Sequence, residues 1–107
     1  MTVRVMVFAS VKEDQRGPFE AAYTEVASTV AGTPGHVRDE LLRDDARPGG
    51  YILLSEWESE EQFRAWEDAP VHRQATTPMR PYWAGRIERK IYPVRATADG
   101  VRPGEGA

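Results

Sequence analysis

The chain has 107 residues, 40% of them hydrophobic and 29% charged, with a formal net charge of −3 and no cysteine. That length suffices for one domain and not for two, and the missing cysteines exclude disulfides, thiolate nucleophiles and cysteine-based metal sites. With no basic face, the chain offers nucleic acid no general attraction.

The opening stretch through Ser10 is too short and unsuitably flanked for a signal peptide, and no apolar run approaches a membrane span. A cytoplasmic protein that does not enter a membrane is therefore expected. From Val3 to Ala9, β-branched and aromatic residues of both parities read as a strand covered on both faces. Gly17-Pro18 opens a helix, because proline loses nothing where the amide has no helical partner. Phe19, Tyr23, Val26, Ala27 and Val30 form its apolar stripe, and Gly32 to Gly35 turn the chain.

His36 to Arg43 reads as a second strand carrying Val37, Leu41 and Leu42. The polar, proline- and glycine-rich run from Asp44 to Gly50 makes a hairpin loop to a third strand, Tyr51 to Trp57. Ser59 and Gln62 have the spacing of a capping box, with the glutamine reaching back to the serine amide. The helix that follows presents Phe63 and Trp66, and Pro70 stops or bends it. After the compact run Pro78 to Trp83, alternation from Gly85 to Val94 gives a half-wet fourth strand.

The order βαββαβ is the split-βαβ plan: a ferredoxin-like α+β domain over residues 1–94, with two helices on one face of an antiparallel sheet. Residues 95–107 form a tail expected to be flexible or packed on a partner. Met6, Phe8, Leu42 and Ile52 are too apolar for an uncovered sheet face, and a second copy of the sheet is the simplest cover, which gives a homodimer.

Several segments together resemble the antibiotic biosynthesis monooxygenase superfamily of dimeric α+β barrels. They are the Pro34-Gly35 turn leading into Glu40-Leu-Leu-Arg43, the strand Tyr51 to Trp57 running through Glu58-Ser59, the helix Glu61 to Trp66, and Ala69-Pro70. The resemblance covers residues 3 to 94. It implies a cofactor-independent monooxygenase that uses molecular oxygen to convert an anthrone-like aromatic polyketide into a quinone. Where the anthrone enzymes carry an asparagine four residues before the strand-end tryptophan (here Trp57), this chain has Leu53. A tyrosine six residues beyond that tryptophan is Phe63 here. Trp66 matches a helix tryptophan of the heme-degrading members, but their iron-binding histidine falls on Thr76 and their first-strand asparagine has no counterpart. Heme degradation is disfavoured.

Oxygenation without metal or flavin needs a flat substrate that forms a stabilised carbanion, a group that takes its proton, and a site that excludes bulk water. Tyr23, Tyr51, Trp57, Phe63, Trp66, Tyr82 and Trp83 are available to line an aromatic slot. Trp57 and Trp66 are also what an ordinary core would contain. His72 is the candidate base, on the segment leaving the second helix, where a loop can aim it; a surface or capping histidine is the competing reading. His36 is a weaker candidate. Arg73 and Arg80 can stabilise a phenolate or enolate. Two histidines and scattered acids make no metal site, and no cofactor is expected. The same pocket also suits a polyketide cyclase, since deprotonation beside a carbonyl begins both reactions. Leu53 and Phe63, which remove polar groups, favour instead a non-catalytic dimeric binding or assembly protein.

Overall fold

The structure, a computed structural model, describes residues 2–100; the last part of the expected tail, 101–107, lies outside the described residues. Four strands, β1 (Val3–Ser10), β2 (His36–Asp44), β3 (Gly50–Trp57) and β4 (Glu88–Pro93), form one antiparallel sheet in the order β2-β3-β1-β4. Helices α1 (Arg16–Val30), α2 (Glu60–Asp68) and α3 (Pro70–Thr76) complete the domain, with short 3-10 turns at Glu13–Gln15 and Thr77–Tyr82. This is the ferredoxin-like α+β fold.

The apolar stripe of α1 buries Phe19, Ala22, Val26 and Val30 against the sheet. The helix begins at Arg16, ahead of Gly17, and Pro18 sits in its first turn, where no helical amide is required. Ser59 caps α2, its Oγ accepting from the Gln62 amide at 3.1 Å. The second arm differs from the expected box: the Ser59 hydroxyl donates to Gln62 Oε1 at 2.9 Å, so the two side chains close on each other. Pro70 ends one helix and starts the next. Ala69 before it is extended (φ −71°, ψ 140°), as a residue preceding proline prefers, and Pro70 takes the first position of α3. His72 is therefore held on a helix, where a loop had been expected.

β4 is shorter than the alternation predicts. Trp83 bridges Val11, the Ala84 amide donates to Ser10 O at 2.7 Å, and Gly85 turns with φ +82°; the chain rejoins β1 only where Glu88 faces Phe8. Away from the helices, Phe8, Ile52 and Leu42 lie opposite one another across three strands, with Met6 beside Leu54. Among the described residues no element covers this face, and Leu42 is 39% exposed. An ion-pair chain borders it, in which Arg4 and Arg38 flank Glu56 at 3.7 and 3.6 Å.

The loop between β2 and β3 depends on Gly49. Its φ is +73°, its carbonyl accepts from the Val11 amide at 2.8 Å, and a Cβ there would collide with the Val11 carbonyl oxygen. Gly49→Ala should cost about 2 kcal/mol or more in urea denaturation, because strain and collision act together. Gly17→Ala, with helical backbone and open space around the new methyl, should stabilise by about 0.5 kcal/mol in the same measurement.

Candidate functional site

On the helix side of the sheet, side chains fall into rows across the strands. One row is Leu41, Leu53, Val7 and Arg89; the next is Asp39, Ser55, Val5 and Ile91. Their central members floor an open cleft of about 190 Å³. Tyr23, Val26, Ala27 and Val30 of α1 make one wall, and Phe63, Trp66 and Glu67 of α2 another. His72 and Thr76 of α3, with Met79, Arg80 and Trp83 beyond it, make the third.

Aromatic packing fixes the α2 wall. The Trp57 ring lies 5.5 Å from Phe63 and 5.7 Å from Trp66, and its Nε1 donates to Ser55 Oγ at 3.0 Å. Trp66 in turn meets the His72 imidazole edge-on at 4.3 Å. Burial lowers the His72 pKa from the usual value; Glu67 opposes that shift and Arg80 reinforces it. Glu67 also receives Arg89 through two nitrogens, at 2.9 and 3.0 Å.

Several polar groups of the cleft are buried without a partner among the described residues: the Tyr23 hydroxyl, Arg80 Nε and Trp83 Nε1. Arg80 is positioned by its Nη2, which donates to Thr76 Oγ1 at 3.0 Å, and its guanidinium lies 5.9 Å from the Trp83 ring centre. The Tyr23 pKa is pushed up to about 12, by burial first and then by Asp39 and Glu40, so its phenol stays protonated. A buried unpaired donor costs about 1–3 kcal/mol. Three of them line one predominantly apolar cleft.

The profile of antibiotic biosynthesis monooxygenases matches residues 2–77. The chain belongs to the antibiotic biosynthesis monooxygenase family. Protein SchA of Streptomyces halstedii is 31% identical over 105 residues, covering 98% of this chain and 27% of that protein. A 42.8 kDa protein in the whiE locus of Streptomyces coelicolor is 33% identical over 104 residues, covering 97% of this chain and 26% of that one. The chain thus spans about a quarter of the length of these curated relatives. Among solved structures, SnoaB, a cofactor-independent oxygenase from Streptomyces nogalater, superposes with a TM-score of 0.71 at 24% identity, over 90% of this chain and 94% of that one. This last likeness speaks for the fold.

Within this family member, Tyr23, Trp57, Phe63, Trp66, His72, Arg80 and Trp83 line one cleft. The other candidates from the sequence do not. Tyr51 is buried in the core against Phe19, with its hydroxyl donating to Glu20 at 2.6 Å. Tyr82 packs on the other side of Phe19, and Arg73 points from the exposed face of α3. His36 stands behind the wall, its ring 5.1 Å from Trp57. Sequence reasoning missed Asp39, Ser55, Glu67 and Arg89. The signal for Asp39 was its strand parity with Leu41, which turns it toward the helices. No helix of the described residues is long and apolar enough to cross a membrane, and no group of three or more potential metal ligands gathers among them.

Because the folded His72 pKa lies below its unfolded value, the associated stability is complete above the ordinary 6.5 and is lost as pH falls through the folded value. An NMR titration should place His72 below 6.5. Glu67→Gln should lower it further and Arg80→Met should raise it, while His72→Asn should flatten the corresponding stretch of the acid-stability profile.

Proposed function

We propose that this protein is a cofactor-independent oxygenase that converts a flat phenolic polyketide of the anthrone type into a quinone. The observation that carries this reading is a neutral, half-buried His72 facing the same apolar cleft as the unpaired donors of Arg80 and Trp83. Family membership supports it, as does the likeness to SnoaB, a cofactor-independent oxygenase.

The substrate's rings lie between the cleft floor and Trp66. Its acidic methylene stands at His72, and its carbonyl oxygen at Arg80 and Trp83. His72 takes a methylene proton, and the negative charge that moves onto the oxygen is stabilised by the two buried donors. The carbanion passes one electron to oxygen, and the resulting pair joins through a new C–O bond. The peroxide anion takes the proton back from His72. Loss of the second methylene proton then breaks the O–O bond, leaving the quinone carbonyl and one water. All four electrons that reduce oxygen to water and to the new carbonyl oxygen come from the substrate.

The same reading assigns the apolar outer face of Phe8, Ile52 and Leu42 to a second copy of the chain. Sheet packed on sheet buries these residues without changing the cleft. Ile52→Lys should convert a dimer into a folded monomer in light scattering; a wild-type monomer at micromolar concentration would overturn this assignment.

Oxygen electrode measurements on metal-stripped, flavin-free protein supplied with anthrone test the reaction. Uptake above the spontaneous rate, with quinone as product, is expected; His72→Ala should lower kcat about 100-fold and Arg80→Met about 10-fold or more. No uptake with anthrone, but ring closure of an uncyclised aromatic polyketide precursor supplied in its place, would make the protein a cyclase. Neither uptake nor turnover, across anthrones of different ring count, would leave a binding protein.

A further inference from the structure

The proposed proton transfer uses the His72, Arg80 and Trp83 part of the cleft, and another part is built differently. There the Asp39 carboxylate and the Tyr23 hydroxyl face the same space from β2 and α1. Asp39 is 17% exposed and His36 only 8%, and His36 Nε2 lies 3.0 Å from Asp39 Oδ1. That contact is off the direction in which the ring nitrogen hydrogen-bonds, so it crowds the carboxylate without saturating it. Glu67, the other cleft carboxylate, is already committed to Arg89. The Asp39 carboxylate is partly exposed to the cleft, and the buried Tyr23 hydroxyl has no hydrogen-bond partner among the described residues.

An ionised carboxylate only accepts hydrogen bonds, and a phenol kept protonated beside it has one to give. A ligand group that satisfies both must donate and accept at once. An ammonium has nothing for Tyr23 to donate to, a carbonyl or ether has nothing to give Asp39, and a ligand carboxylate is repelled. A neutral hydroxyl does both.

We propose that Asp39 and Tyr23 form a specificity site for a free hydroxyl on the edge of the aromatic ligand opposite the carbon that meets His72. This inference rests on the aromatic-ligand reading above and narrows it: substrates are ring systems bearing an unmethylated, unesterified hydroxyl at that edge.

Binding of unreactive quinones tests it independently of oxygen chemistry. The probes are a hydroxymethyl-anthraquinone and its methyl ether, followed by quenching of tryptophan fluorescence. The wild-type protein should bind the alcohol about tenfold more tightly, since only it can donate to a charged acceptor. Asp39→Leu, similar in size and unable to accept a hydrogen bond, should reduce the preference to about twofold or less while keeping its affinity for the ether. Tyr23→Phe should weaken both probes, because both present an acceptor oxygen. Equal binding of the two probes by the wild type, or a preference that survives Asp39→Leu, would overturn the proposal; oxygen uptake with anthrone would still stand in that case. Failure of both probes to bind would overturn the aromatic-ligand reading and this inference together.

Discussion

The site depends on how Trp57 is packed. At the last position of β3, its ring is 1% exposed and touches elements that are distant in sequence: His36 at the start of β2, and Phe63 and Trp66 on α2. An aromatic in such contacts is restrained in depth and in tilt, because edge and face contacts differ in energy. The restraint then passes outward. Trp66 is fixed by Trp57 and Phe63, and His72 is set edge-on against Trp66. The imidazole's position is thereby tied to the sheet through a chain of aromatic contacts, although His72 sits on a helix of only seven residues.

Much of this was legible from spacing alone. A run of β-branched and aromatic residues gave β1, the proline- and glycine-rich loop before Tyr51 gave β3, the period of α1 gave its buried stripe, and Ser59 announced α2, because each signal is local and each local preference agrees with the tertiary fold. What was not legible came from register. Between His36 and Arg38 the β2 strand carries one more residue than β3, and Val37 bulges outward, 51% exposed. Without the bulge, His36 would share the outer face with Arg38 and Glu40. With it, His36 turns inward onto Trp57 and toward Asp39. A bulge depends on the partner strand as much as on its own residues, so no pattern in residues 36–44 reveals it. Pro70 misled in a related way: a residue that breaks one helix is also suited to the first position of another, and only the packing of α3 decides between them.

The cleft also departs from what stability alone would select. The Arg80 and Trp83 donors and the Tyr23 hydroxyl would be better solvated, or replaced by apolar groups, if the domain only had to fold. They are tolerated because the surrounding elements hold them from several directions. Arg80 is tethered through Thr76, whose hydroxyl also donates to the His72 carbonyl at 2.9 Å. Trp83 is held by its bridge to Val11, and Tyr23 by a helix whose neighbouring stripe residues are buried. Helix α1 and the 3-10 turn ending at Trp83 therefore deliver three unsatisfied donors to one volume.

The balance of charge around His72 decides what that volume can do. Glu67 lines the same cleft and by itself would hold a proton on the imidazole. It does not prevail, because burial is the larger effect on His72; Glu67 itself is held by two nitrogens of Arg89 from β4, whose guanidinium rests 5.8 Å from the Phe63 ring. Arg80, on the other side, disfavours a second cation. Desolvation is the largest effect, and it favours the neutral imidazole, the form that can accept a proton. Glu67, engaged by Arg89 and placed beside His72 in the same cleft, opposes that shift without reversing it.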